Sequence, residues 1–109
     1  MATAKTKGRK FDHSKSRWDL VPWRALGLIV DVLTYGAGKY NDHNWTRVEN
    51  GRARYFAALQ RHAIAYWGDG EGSGEWLDPE SGLPHLAHAG CCVLFLLTFG
   101  PAPRKVNSK

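Results

Sequence analysis

The stretch that most constrains this chain is "PHLAHAGCCVLFLLTFG", residues 84–100. Pro84 suits a first helical turn and Gly100-Pro101 a stop, so the segment reads as one helix. Leu86, Ala89, Gly90, Val93 and Leu97 make one apolar face, and Phe95, Leu96 and Phe99 make much of the remainder apolar too. A helix that is apolar nearly all round must be buried on all sides. In a chain of 109 residues, that argues for burial against another subunit. The run is far too short to cross a membrane.

Two more helices are expected before it. In "PWRALGLIVDVLTYGAGKY", Leu26, Ile29, Val30, Leu33 and Ala37 recur at helical spacing, with Asp19 as a candidate N-terminal cap and Pro22 in the first turn. In "GRARYFAALQRHAIAYWG", Phe56, Leu59, Ala63 and Trp67 form a stripe and Gly68 a stop. The fold class is therefore all-α: a small helical bundle of three main helices, completed by oligomerisation to a homodimer or homotetramer. Residues 1–16 read as a flexible basic arm, 17–100 as the all-α domain and 101–109 as a tail. Residues 1–10 are basic with no apolar core after them, so no signal peptide is expected. Cys91 and Cys92 are adjacent, too close to pair without strain, and read as reduced and buried. These features together suit the cytoplasm.

The stretch "DPESGLPHLAH", residues 78–88, carries the chemistry. His85 and His88 stand three apart, on one helix face. His62 lies midway along the preceding helix and can approach them if the two helices pack antiparallel. Three histidines beside Asp78 and Glu80 would suit a transition metal; each histidine could equally bond a carbonyl at a helix end. The acidic loop "DGEGSGEWLDPE", residues 69–80, has the ligand spacing of a calcium-binding EF-hand, but Pro79, Gly82 and Pro84 delay the exiting helix too long for one. Arg54 and Arg61 are seven apart, two turns along one face, and with Lys39 they can grip phosphates. In "YGAGKYNDHNW", Asn44 can read a base edge and Trp45 can stack on a purine, or plug the core.

"DLVPWRAL", "TYGAGKYNDHNW", "RYFAALQRH" and "LDPESGLPHLAHAGCCVLFLL", in this order, resemble the phage dATP/dGTP diphosphohydrolase family, which is placed near the MazG-like all-α nucleotide pyrophosphohydrolases. The likeness spans residues 17–99. It implies a nucleotide pyrophosphohydrolase domain that cleaves a purine deoxynucleoside triphosphate to the monophosphate and pyrophosphate with a divalent metal. It also implies a place in the host cytoplasm, where such enzymes prune the dGTP pool and supply dGMP for 2-aminoadenine. MazG-like enzymes hold magnesium with E-x-x-E on one helix and E-x-x-D on the next. Here the helices over 52–67 and 84–99 carry no acid, and His62, His85 and His88 stand at comparable places.

Imidazole suits manganese, cobalt or zinc, whereas magnesium prefers oxygen. The expected cofactor is a divalent metal, magnesium or manganese, with cobalt or zinc also compatible. Asp78, His85 and His88 are assigned to the metal. Glu80 and His62 are assigned to the attacking water, Lys39, Arg54 and Arg61 to the phosphates, and Asn44 and Trp45 to the base. The competing readings are an HD-like triphosphohydrolase and a basic nucleic-acid-binding module. A net charge of +5 permits the latter. However, the basic residues do not gather on one helix and the acidic loop would repel a polyanion, so the expected partner is a purine nucleotide.

Overall fold

The computed structural model describes residues 14–104. Three helices make the body: α1 (Trp23–Lys39), α2 (Gly51–Trp67) and α3 (His85–Phe99). Short 3₁₀ turns, Trp18–Leu20 and Asn44–Arg47, precede α1 and α2. Among the described residues there is no strand, only an isolated antiparallel bridge between Leu77 and Pro84. The expected basic arm at 1–16 and tail at 101–109 fall mostly outside the described residues.

The helix α3 is the middle layer. Its Ala87, Cys91 and Phe95 form the buried centre with Val32 of α1, and Ile29, Leu33, Trp45, Tyr55 and Leu83 pack around them. The α2 and α1 helices lie against α3 from two sides, with little direct contact between them. Trp45 stacks on Phe95 with ring centroids 4.3 Å apart, and Tyr55 meets the same ring edge-on at 4.9 Å. Burying a ring such as Phe95 is worth about 2–3 kcal/mol, so this aromatic group fixes where the turn before α2 and α2 itself sit on α3. Arg52 secures the far end: its guanidinium donates to the carbonyls of Phe99 and Gly100 at 3.3 and 3.1 Å. There it satisfies carbonyls that the helix end leaves free and complements the negative end of the dipole.

Two expectations are corrected. Asp19 does not cap α1. It sits in the 3₁₀ turn Trp18–Leu20 and binds Arg17 through two hydrogen bonds, at 2.8 and 2.7 Å, and Pro22 occupies the cap position. The inward face of α2 is not centred on Phe56 and Trp67, which are both exposed. Tyr55, Leu59, His62 and Tyr66 are half-buried, so the face lies about one residue round from the stripe. The aromatic packing of Tyr55 on Phe95 sets this rotation.

Of the apolar face read on α3, Ala89 is buried, but Leu86, Val93 and Leu97 face outward in the single chain, Leu97 being 71% exposed. Phe56, Ile64 and Trp67 make a second exposed apolar stripe on α2. No described helix is long and apolar enough to cross a membrane.

Candidate metal centre and cleft

The site is built by the loop between α2 and α3. Gly68 ends α2 with φ +62, a backbone conformation that suits glycine. The chain then doubles back over the helix end. The N–H groups of Gly74 and Glu75 donate to the carbonyls of Tyr66 and Ala65 at 3.0 and 2.9 Å. A Cβ on Gly74 would lie 2.0 Å from the Ala65 carbonyl oxygen, so only glycine allows this crossing. The next segment folds against the start of α3: Asp78 N–H donates to Leu83 O at 2.8 Å and His85 N–H to Trp76 O at 2.9 Å. At the tip, Asp78 Oδ1 accepts the N–H groups of Glu80 (2.8 Å) and Ser81 (3.1 Å), an aspartate turn held by its own side chain. This fixes the carboxylate and leaves Oδ2 facing the histidines.

Three ligand-type atoms meet there. His62 Nδ1 and His85 Nδ1 are 2.9 Å apart, and each is 3.8 Å from Asp78 Oδ2. Ligands about 2.0–2.2 Å from a metal in tetrahedral or octahedral order are separated by roughly 3.0–3.4 Å, so the 2.9 Å edge is close to that of a coordination shell and the two 3.8 Å edges are longer. His62, Asp78 and His85 are the one group of three or more metal-ligand side chains among the described residues that lies this close. The side chains of His62 and Asp78 are 18% and 17% exposed and His85 is 6% exposed.

The charge states suit a cation. Burial, and then the neighbouring His88 and His85, push the His62 imidazole down to about 4, so it is neutral near pH 7 with a lone pair to offer. Burial alone would raise Asp78, but the N–H groups of Ser81 and Glu80 outweigh it and hold its carboxyl below the ordinary value. The close approach of His62 and Asp78 is therefore not an ion pair at neutral pH.

His88 lies beside this group and not in it. Its ring stacks on His62 at 4.6 Å between centroids and 14° between planes, and its Nε2 pairs with Ser81 Oγ at 2.7 Å. Burial lowers its pKa as well. In the structure His62, expected at the attacking water, is the histidine that lies with Asp78 and His85, and His88, expected at the metal, stands beside them. Residues three apart on a helix differ by about 60° in direction, enough for His85 to point at Asp78 while His88 points at Ser81 and the open side.

That open side is a cleft of about 1260 Å³ between α1 and α2, with α3 as its floor. It brings together Lys39, Asn44, Trp45, Arg54, Arg61, His62, Asp78, Glu80 and His88, leaving only His85 of the expected residues behind its wall. Lys39 and Glu80 form an ion pair across the cleft, and Tyr35 donates to the same carboxylate oxygen at 3.1 Å. Hydrogen bonding to Lys39 first, then to Tyr35, holds Glu80 below the ordinary carboxylate value, so in this state it is a weak base. Arg54 and Arg61 project from α2 and are exposed. Trp45 spends one face on Phe95, so it is a core residue whose remaining surface lines the cleft. Cys91 also lines it, but burial pushes its thiol up to about 12, which removes a thiolate from the chemistry.

Sequence reasoning missed three contributors: Glu75, which contacts His85 Nε2 at 3.3 Å, Ser81, and Tyr35. Each acts across a turn or between helices, and no spacing rule links it to its partner. The one available signal was the density of glycines at 68–74, which foretells a chain that folds tightly back.

The sequence profile of the family described as "dATP/dGTP diphosphohydrolase, N-terminal" matches residues 5–109. A "dATP/dGTP diphosphohydrolase" of Salmonella phage PMBT28 is 33% identical over 89 residues, which cover 82% of this chain and 28% of that protein. The chain therefore spans little more than a quarter of the length of that relative. No solved structure matches the chain.

Proposed function

The chain belongs to the dATP/dGTP diphosphohydrolase family, and on that premise we propose that it hydrolyses dGTP or dATP to the monophosphate and pyrophosphate with a divalent cation. The observation that carries this reading is the convergence of His62 Nδ1, His85 Nδ1 and Asp78 Oδ2 at the wall of a cleft that also holds Lys39, Arg54 and Arg61. Two imidazoles and one carboxylate fit manganese, cobalt or zinc better than magnesium, which keeps to oxygen. A divalent cation bound there would supply Lewis-acid charge stabilisation and a more acidic water.

The chain's own residues do the rest. Arg54 and Arg61 donate paired hydrogen bonds to phosphate oxygens and offset charge that shifts in the transition state. Lys39 exchanges Glu80 for phosphate when the nucleotide enters. Glu80, so released, and the neutral His88 are then free to orient the attacking water and accept its proton. Asn44 hydrogen-bonds the base edge, and the free surface of Trp45 covers the base.

The outward stripes at Leu86, Val93 and Leu97 and at Phe56, Ile64 and Trp67 support assembly as a homodimer or homotetramer. In a phage-encoded setting, the reaction trims the host dGTP pool and supplies dGMP for 2-aminoadenine. The test is incubation with each deoxynucleotide and ribonucleotide in magnesium, manganese or cobalt, with products resolved by ion exchange. Cation-dependent dGMP or dAMP with pyrophosphate, lost in Asp78→Ala, is the expected result. Nucleoside with inorganic triphosphate would replace this reading with an HD-like triphosphohydrolase, and no turnover in any metal would leave a binding or assembly domain.

A further inference from the structure

We propose that Glu75 is a positioning residue of the metal centre: its carboxylate accepts the Nε2–H of His85 and so presents Nδ1 of that ring as the ligand atom. The inference rests on the reading of His62, Asp78 and His85 as a metal site, and adds to it the group that selects which ring nitrogen is available.

His85 is 6% exposed, so both of its ring nitrogens need partners inside the protein. Nδ1 faces His62 Nδ1 at 2.9 Å and Asp78 Oδ2 at 3.8 Å. Nε2 faces Glu75 Oε1 at 3.3 Å. A carboxylate only accepts, so Glu75 assigns the ring hydrogen to Nε2 and leaves the lone pair on Nδ1. Without metal, His62 then donates its Nδ1–H to His85 Nδ1 across the 2.9 Å contact. Remove Glu75, and the two rings can exchange roles, with His85 Nδ1 carrying the hydrogen and His62 Nδ1 accepting it. The ligand position is then occupied by a proton. Carboxylate–histidine–metal arrangements act in this way generally.

Burial does not hold the Glu75 side chain in place, since it is 67% exposed. The backbone does. Glu75 N–H is bonded to Ala65 O at 2.9 Å, Gly74 before it crosses directly over α2, and Trp76 after it accepts His85 N–H at 2.9 Å. The residue is anchored on α2 and on the first turn of α3 at once, which are the two helices that supply the histidines. An exposed contact of this kind contributes little to stability, so a role in ring orientation can be separated from a role in folding.

The experiment compares the parent chain with Glu75→Ala, Glu75→Gln and His85→Ala. Long-range ¹H–¹⁵N correlation of the imidazoles reports the tautomer without metal, cobalt(II) titration followed by its visible absorption reports the site, and the thermal midpoint without metal reports the fold. The parent is expected to carry the His85 hydrogen on Nε2. Glu75→Ala is expected to shift it toward Nδ1, weaken cobalt binding by about ten- to a hundredfold, and leave the metal-free midpoint in place. Glu75→Gln keeps an accepting oxygen and is expected to bind cobalt within about threefold of the parent, with the parent's spectrum. His85→Ala is expected to lose the site.

If His85→Ala loses cobalt but Glu75→Ala binds it like the parent, the positioning role is wrong and the metal site stands. If Glu75→Gln falls as far as Glu75→Ala, charge and not ring orientation is at work, and the proposal is overturned. If the parent binds no cobalt, or His85→Ala binds as well as the parent, the metal site itself fails and this inference fails with it.

Discussion

Acidifying the metal-free chain should destabilise it through His62. The imidazole is held between the rings of His85 and His88, and burial followed by those two neighbours brings its pKa from 6.5 to about 4. A histidine whose folded pKa is depressed binds fewer protons folded than unfolded. Its contribution to stability is therefore fully present above the unfolded value and is lost as pH falls toward the folded one. Midway through that window the unfolded chain carries nearly one proton more at this position, a slope of about 1 kcal/mol per pH unit. Across the whole window the loss is about 3 kcal/mol, a large share of the about 5–15 kcal/mol typical of a domain.

His88, also depressed, acts in the same direction. Asp78, depressed as a carboxylate, is lost only below this window, as pH falls under its ordinary value. Urea unfolding in chelator at a series of values between about pH 7 and about pH 4.5 measures the slope, and His62→Gln removes the titrating ring. The variant's stability should decline less steeply by about 1 kcal/mol per pH unit. Parallel curves for parent and variant would refute the assignment of the buried neutral state to His62.

Other perturbations separate the parts of the site. Asp78→Asn preserves an Oδ1 that accepts the two N–H groups of the turn but removes the anionic ligand; the fold should survive while cobalt affinity falls by at least about tenfold, as titration calorimetry would show. Gly74→Ala forces a Cβ onto the Ala65 carbonyl and should cost about 1–3 kcal/mol, read as a lower thermal midpoint; an unchanged midpoint would mean the loop does not cross α2 this closely. Arg61→Ala should lower kcat/KM for dGTP by about ten- to a hundredfold while cobalt affinity is unchanged; a loss of metal binding instead would place Arg61 in a structural role. Lys39→Ala frees Glu80 from its ion pair, so the pKa of Glu80, followed by carboxyl NMR, should rise toward the ordinary range.

Much of this was legible in the chain. Pro22, Gly68, Pro84 and Gly100 mark helix ends to within a residue, because proline and glycine act locally, through φ and the missing N–H. The cluster of Asp78 with histidines from two helices was visible because the intervening loop returns the chain over a short span. The faces were harder. The apolar positions of α3 run nearly all round, so they give no direction, and nothing in them marks Leu86 and Leu97 as the ones exposed in the single chain. On α2, Tyr55 competes with Phe56 for the inward position, and only stacking on Phe95 decides between them. For the same reason His85 and His88 could not be told apart: one partner of each, Glu75 and Ser81, lies in the loop, and hydrogen bonds across a turn leave no periodicity.

The most direct test of the central claim is the anomalous scattering of cobalt in a crystal of this chain. One strong peak is expected about 2.0–2.2 Å from His62 Nδ1, His85 Nδ1 and Asp78 Oδ2, with the His88 ring outside it. A peak on Glu80 or on the exposed acids of the 69–75 loop, or a site formed by His88 with His62 left free, would contradict it.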